Sequence, residues 1–148
     1  TAEGVARRWL AMAGLDGQVA VDSAGIQGHH VGEAPDPRSQ TAALRRGYDI
    51  SRLRARKVQP KDFADFDLLL AMDREHFHYL RDRAPEGCRH KVRMFLSFAA
   101  RATRDDVPDP YYGGGKGFDV VLDLCEDAVQ GMIEEIRPEV ERRKRSAV

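Results

Sequence analysis

A chain of 148 residues, 42% apolar and 32% charged, has the size and composition of one globular domain with a single core. Its 24 basic and 24 acidic residues cancel, so charge gives no reason to expect nucleic acid or an anionic membrane as partner. No apolar run approaches the roughly 18 residues of a transmembrane helix, and no signal-peptide pattern opens the chain.

From the start, Val5, Trp9, Met12 and Ala13 recur at helical spacing, so Thr1 to Gly14 reads as an amphipathic helix stopped by Gly14. Val19 to Val21 is a short strand candidate, closed by Asp22-Ser23-Ala24-Gly25. Gly28 to Pro37 is turn-rich and belongs in a surface loop, and Arg38 to Arg46 reads as a second helix with Gly47 past its end. Phe66 to Met72 has the length and continuity of a strand buried on both faces. Arg74 to Ala84 is helical, with Phe77, Leu80 and Ala84 on one side, and Val92 to Phe95 is a third strand candidate. The segment Ala102 to Gly117 carries Pro108, Pro110 and three consecutive glycines. Loops of that length without structure of their own are usually functional or disordered. The last helix carries a continuous apolar stripe from Phe118 through Cys125 and Val129 to Ile136. Pro138 is expected to end or kink it, leaving Arg142 to Arg145 as a solvated tail. Strands alternating with helices predict an α/β domain with a parallel sheet.

The segment Val107-Pro108-Asp109-Pro110-Tyr111-Tyr112-Gly113 is the most informative chemically. Each proline fixes its own φ and restricts the residue before it, so Asp109 sits on stiffened backbone. Two readings are open from the residues alone. One is a rigid surface turn; the other is a carboxyl group held at a set distance to donate a proton, with two tyrosines walling an aromatic substrate. His29 and His30 invite a metal, but no further ligand lies at zinc-site spacing, and solvated loop histidines are the simpler reading. Cys125 lies in the apolar stripe, and Cys88 lies in a polar loop beside Arg89 and His90. Neither has an arginine six residues on, where Met94 and Gly131 stand, so neither opens a cysteine-phosphatase phosphate loop. Their spacing suggests no disulfide framework, which suits a reducing cytoplasm.

Over its whole length the chain resembles the bacterial type of low-molecular-weight protein tyrosine phosphatase. The resemblance rests on TAEGV at Thr1, VDSAG at Val21, HVGEAPDPR at His30 and RARKV at Arg54. DFADFDLLLAMD at Asp62 and VPDPYYGG at Val107 are its most specific parts. It implies a three-layer α/β/α domain over residues 1–148, with a four-stranded parallel sheet in the order 2-1-3-4. In that family a first strand and a Cys-x5-Arg phosphate loop lie immediately ahead of the TAEGV-like segment. Here both are expected within a stretch of about 15 residues directly upstream of Thr1, from ordinary strand and loop lengths. Without that central strand, neighbouring strands are left with unpaired backbone groups, and the chain is not expected to fold stably alone.

The resemblance further implies hydrolysis of phosphotyrosine through a phosphocysteine intermediate, with Asp109 as general acid and then general base. Tyr111 and Tyr112 match the tyrosines bordering the substrate cleft, and His29 falls where an aromatic residue lines the opposite wall. Asp73 matches a position that supports the phosphate loop, and Leu53 replaces a histidine that many members carry. No metal or other cofactor is implied, since arginine and backbone amides neutralise the phosphoryl charge. Phosphate and vanadate are the expected inhibitors. Two alternatives stand beside this reading. One is an inert fragment or pseudophosphatase acting as a binding module. The other is an arsenate reductase, for which neither Cys88 nor Cys125 is placed as a redox partner.

Overall fold

The computed structural model describes residues 1–110 and 114–147. Helix α1 spans Ala2–Met12 and buries Val5, Ala6 and Leu10. Of the expected stripe Val5 is buried, Trp9 and Ala13 are half-buried, and Met12 is 64% exposed, because the face turned to the core is centred on Ala6 and Leu10. Gly14 follows at φ +74°, a left-handed conformation that ends the helix where a side chain would be strained. Helix α2 spans Pro37–Arg45. The Asp36 carboxylate caps it by accepting from the Arg38 N–H at 2.8 Å, Pro37 pre-sets its first turn, and Gly47 beyond it has φ +88°.

A four-residue turn of helix, α3 (Asp62–Asp65), leads into strand β1 (Leu69–Ala71). Helix α4 (Arg74–Arg83) and a 3-10 turn over Glu86–Lys91 then cross over to strand β2 (Val92–Met94). A second 3-10 turn, Phe95–Phe98, follows at once. Helix α5 (Gly114–Ser146) closes the fold.

Strands β1 and β2 pair in parallel, Leu69 opposite Val92 and Ala71 opposite Met94. Alternation along them divides the apolar residues between two layers. Leu69, Ala71 and Val92 pack with Phe63, Leu80 and Ala84 beneath α3 and α4. Leu68, Leu70 and Met72 face the larger cluster built by α1, α2, the second 3-10 turn and α5. The α/β class with a parallel sheet is therefore as expected, with two strands among the described residues.

The strand expected over Phe66–Met72 is confined to Leu69–Ala71, because α3, closed by Phe66, ends just ahead of it and the ladder with β2 is three residues long. Three further expectations need correction. Val19–Val21 is not a strand. A strand needs a row of partner groups beside it, and the pairing nearby is one parallel bridge, Gly25 with Lys57. The Val21 carbonyl is instead taken by the Arg7 guanidinium at 2.7 Å, although both valines still pack against the core. Secondly, α5 begins at Gly114, ahead of the expected Phe118, so the preceding loop is shorter. Thirdly, α5 runs through Pro138 to Ser146. Proline removes one helical N–H and crowds the preceding turn, but ion pairs hold the turns beyond it. Glu139 pairs with Arg142 and Arg143, and Arg143 reaches Asp67 at 3.2 Å. The basic tail is exposed yet partly paired.

Helix α5 seats against the second 3-10 turn at Gly131, where a methyl group would overlap the Phe98 carbonyl oxygen. A backbone carbonyl yields less readily than a side-chain tip. Gly131→Ala is therefore expected to destabilise the fold by about 1–3 kcal/mol despite its better helix propensity. A urea unfolding midpoint equal to or above that of the parent would show that this approach is not tight.

Candidate active site

The chain from Ala99 to Pro110 leaves the second 3-10 turn and delivers Asp109, which is exposed. It is tied down at three places. At its start, the Asp127 carboxylate on α5 accepts from the N–H groups of Ala100, Arg101 and Ala102, each at 3.0 Å. In its middle, the Asp106 carboxylate accepts from the Arg74 N–H at 3.1 Å, and the Arg74 guanidinium pairs with Asp105. Just before the prolines, the Val107 N–H donates to the Met72 carbonyl at 2.8 Å. Asp109 is thereby hung two residues beyond a backbone bond to the carboxyl end of β1. Pro110 packs beside Gly117 in the first turns of α5, where a methyl on Gly117 would lie 3.7 Å from it.

Asp73 begins α4 on extended backbone, and its carboxylate accepts from the His76 N–H at 2.8 Å. It lies two residues after β1, at the same end of the sheet as the bond to Val107. Its observed task is thus a helix cap next to the acid-bearing loop.

His29 is exposed in the 28–36 loop, its ring 4.3 Å from that of His30 at 55°. The His30 Nδ1 faces Glu33 at 2.9 Å. That loop is stitched to the neighbouring segment through the Gly32 N–H to the Ala55 carbonyl at 2.8 Å and the Ala55 N–H to the Glu33 carbonyl at 2.9 Å. Helix α2, which follows it, reaches α5, where the Arg38 guanidinium lies 5.2 Å over the Phe118 ring. Tyr111 and Tyr112 lie outside the described residues.

Cys125 is 1% exposed, and burial pushes its thiol up to about 11. It stays protonated at neutral pH and is a core residue, not a nucleophile. Cys88 is half-buried and unpaired.

Charged residues that sequence reasoning passed over tie the site's surroundings together. Glu3, 7% exposed, accepts from the Ser23 hydroxyl at 2.6 Å and from Arg7 at 2.7 Å, which joins the first turn of α1 to the VDSAG segment. Arg56 spans Asp22 at 3.0 Å and Asp62 at 2.9 Å. Arg46 pairs with Asp123 and Glu126 on α5. Glu126 also accepts from the Tyr48 hydroxyl at 2.8 Å, and that hydroxyl in turn accepts from the Trp9 ring N–H at 2.8 Å.

A parallel sheet between helical layers, with the loop that carries Asp109 bonded through Val107 at the carboxyl end of β1, defines an α/β domain, and sheets of this kind commonly bind ligands at that end. The family model for low molecular weight phosphotyrosine protein phosphatase matches residues 1–142. The chain belongs to that family of protein-tyrosine-phosphatases. It is 42% identical over 145 residues to a low molecular weight protein-tyrosine-phosphatase of Streptomyces coelicolor, covering 96% of this chain and 88% of the relative. The corresponding Bacillus subtilis enzyme, YfkJ, is 34% identical over 138 residues, covering 93% and 87%. Among solved structures, a protein tyrosine phosphatase from Entamoeba histolytica superposes with a TM-score of 0.90 at 35% identity, covering 93% of this chain and 88% of that one.

Proposed function

We propose that this domain hydrolyses phosphotyrosine through a phosphocysteine intermediate, with Asp109 moving the protons. The observation that carries this reading is the placement of Asp109, fixed between Pro108 and Pro110 and anchored to the end of β1 through Val107 and Met72. A thiolate attacks phosphorus, and the bond to the phenolic oxygen breaks as the Asp109 carboxyl protonates that oxygen. Water then attacks the phosphocysteine while the Asp109 carboxylate takes its proton, which releases inorganic phosphate and restores the thiolate. His29 on one side and Tyr111 and Tyr112 on the other are the proposed walls for the aromatic ring. Asp73 is the proposed support beneath the phosphate loop.

The nucleophile and the phosphate-gripping arginine are proposed to come from a strand and loop ahead of Thr1, the strand pairing with β1 on one side and with the Val19–Val21 segment on the other to make a four-stranded sheet in the order 2-1-3-4. Two features favour this. Among the described residues β1 has a ladder partner on one edge only, and Val19 and Val21 pack against the core with no strand beside them. Buried backbone groups are nearly always paired, so such an edge calls for a partner. Arginine and loop amides neutralise the transferring phosphoryl group, and the reaction then needs no metal. Phosphate or vanadate would compete for the same cradle. A thiolate nucleophile works in reducing surroundings, which fits the cytoplasm and the unpaired Cys88 and Cys125.

The test is p-nitrophenyl phosphate hydrolysis by the chain carrying its upstream segment. Vanadate-sensitive turnover at mildly acid pH is the expected result. A folded, complete chain without turnover would instead make the domain a binding module.

A further inference from the structure

We propose that Asp127 is a positioning residue for the proton-transfer step, setting the reach of Asp109 by collecting three successive backbone N–H groups at the root of its loop. The inference rests on the reading of Asp109 as the proton donor and extends it to a residue 18 positions further along the chain. A carboxylate has lone pairs enough for three donors, and here Oδ1 takes the Ala100 N–H while Oδ2 takes those of Arg101 and Ala102, all at 3.0 Å. Three consecutive amides aimed at one anion fix the direction in which the chain leaves the core. Burial works to raise the Asp127 pKa and the three amide bonds outweigh it, holding the carboxyl below its ordinary range. The anchor thus stays ionised across the working pH of an enzyme.

Asp127 is itself held rigidly. It lies between the half-buried Glu126, which Arg46 and Tyr48 hold, and Ala128 and Val129, both 0% exposed, one turn before the close approach of Gly131 to Phe98. The same helix begins at Gly114, so α5 fixes both ends of the acid loop. Its first turns meet Pro110 through Gly117, and its middle grips residues 100–102 through Asp127. The Arg74–Asp106 and Val107–Met72 bonds fix height above β1, whereas Asp127 fixes the loop's lateral origin. An asparagine has the same shape but one oxygen, and its NH2, standing where the other oxygen accepted, opposes a backbone N–H donor with a donor. At least one of the three N–H groups then loses its partner, and the loop root shifts.

Leaving-group dependence separates positioning from mere structure, because a nitrophenolate leaves without help and a phenolate needs the proton. In the chain carrying its upstream segment, kcat/KM, which reports the steps up to departure of the phenol and not the later hydrolysis of the phosphocysteine, is to be compared for phenyl phosphate and 2,4-dinitrophenyl phosphate in the parent, Asp127→Asn and Asp109→Asn. Asp127→Asn is expected to slow phenyl phosphate roughly ten- to a hundredfold, the scale set by a misplacement of about 1 Å. Dinitrophenyl phosphate should be nearly unaffected, and Asp127→Glu, which keeps the charge, should recover part of the loss. Amide hydrogen exchange at Ala100, Arg101 and Ala102 should accelerate in Asp127→Asn, a readout that needs no catalysis and also reports whether the variant is folded. Equal rate loss on both substrates, or none on either, overturns the inference while a steepened dependence in Asp109→Asn leaves the parent reading standing. If Asp109→Asn itself shows no steepening, the reading of Asp109 falls, and this inference falls with it.

Discussion

Asp109→Asn is expected to slow hydrolysis of unactivated phenyl esters by about 10²–10⁴-fold, the range a placed general acid contributes. Binding of vanadate should persist, because the oxyanion is held by the phosphate loop and not by this side chain. The exposed carboxyl sits on backbone whose freedom is removed on both sides, by Pro108 before it and Pro110 after it. Asparagine keeps that backbone and the side chain's volume but has no acidic proton to give. The second half of the reaction suffers as well, since the amide cannot accept the proton of the attacking water. A burst of phenol equal to the enzyme, followed by slow turnover, would therefore be seen with an activated ester. A variant that hydrolyses phenyl phosphate at the parent rate would remove Asp109 from the chemistry and leave the prolines as an ordinary turn.

What the sequence disclosed, and what it withheld, follows from the range of the forces involved. Helices α1, α2 and α4 were legible because their stops are local. Gly14 and Gly47 mark two ends with left-handed backbone, and Asp36 and Asp73 cap two starts. The apolar stripe of α5 was equally plain, while its continuation through Pro138 was not, because Asp67, which pairs with Arg143, lies 76 positions away. Val19–Val21 has strand composition, but composition does not supply the neighbour that a ladder needs. The two 3-10 turns carry no periodic signal and were missed.

Within the site, Asp109 stood out through its flanking prolines and Asp73 only through the family resemblance. The residues that brace them were silent. Asp127 reads as one more charge on a helix face, and nothing in its own neighbourhood announces three amides from residues 100–102. Arg56 and Asp62 fall inside two motifs that carry the family resemblance, yet their pairing, and the reach of Arg56 back to Asp22, appears only when the fold brings three separate segments together.

That ion pair is the basis of the largest stability effect we expect. Asp62 is 4% exposed and accepts from two Arg56 nitrogens at 2.9 and 3.1 Å and from the Gln59 N–H at 2.8 Å. Burial works to raise its pKa, and the Arg56 and Gln59 bonds outweigh this, leaving the carboxyl below its ordinary value. A depressed folded pKa contributes stability above the unfolded value near 3.9, and that contribution is lost as pH falls through the folded value. Arg56→Leu removes the guanidinium and leaves a buried carboxylate with one backbone donor. The expected cost is roughly 3 kcal/mol at neutral pH, the lower end for breaking a buried pair. With the pairing gone, burial prevails and the Asp62 pKa moves above its unfolded value, so the variant recovers relative to the parent as acid neutralises the group. Urea unfolding of the full-length parent and variant at about pH 7 and about pH 4.5 reads this directly as a deficit that narrows with acid. Arg56→Leu combined with Asp62→Asn should recover part of the loss at neutral pH, since no charge is then stranded. A deficit equal at both pH values, unchanged by the second substitution, would place the cost in the severed tie to Asp22 and in lost packing of the arginine stem, with Asp62 a bystander.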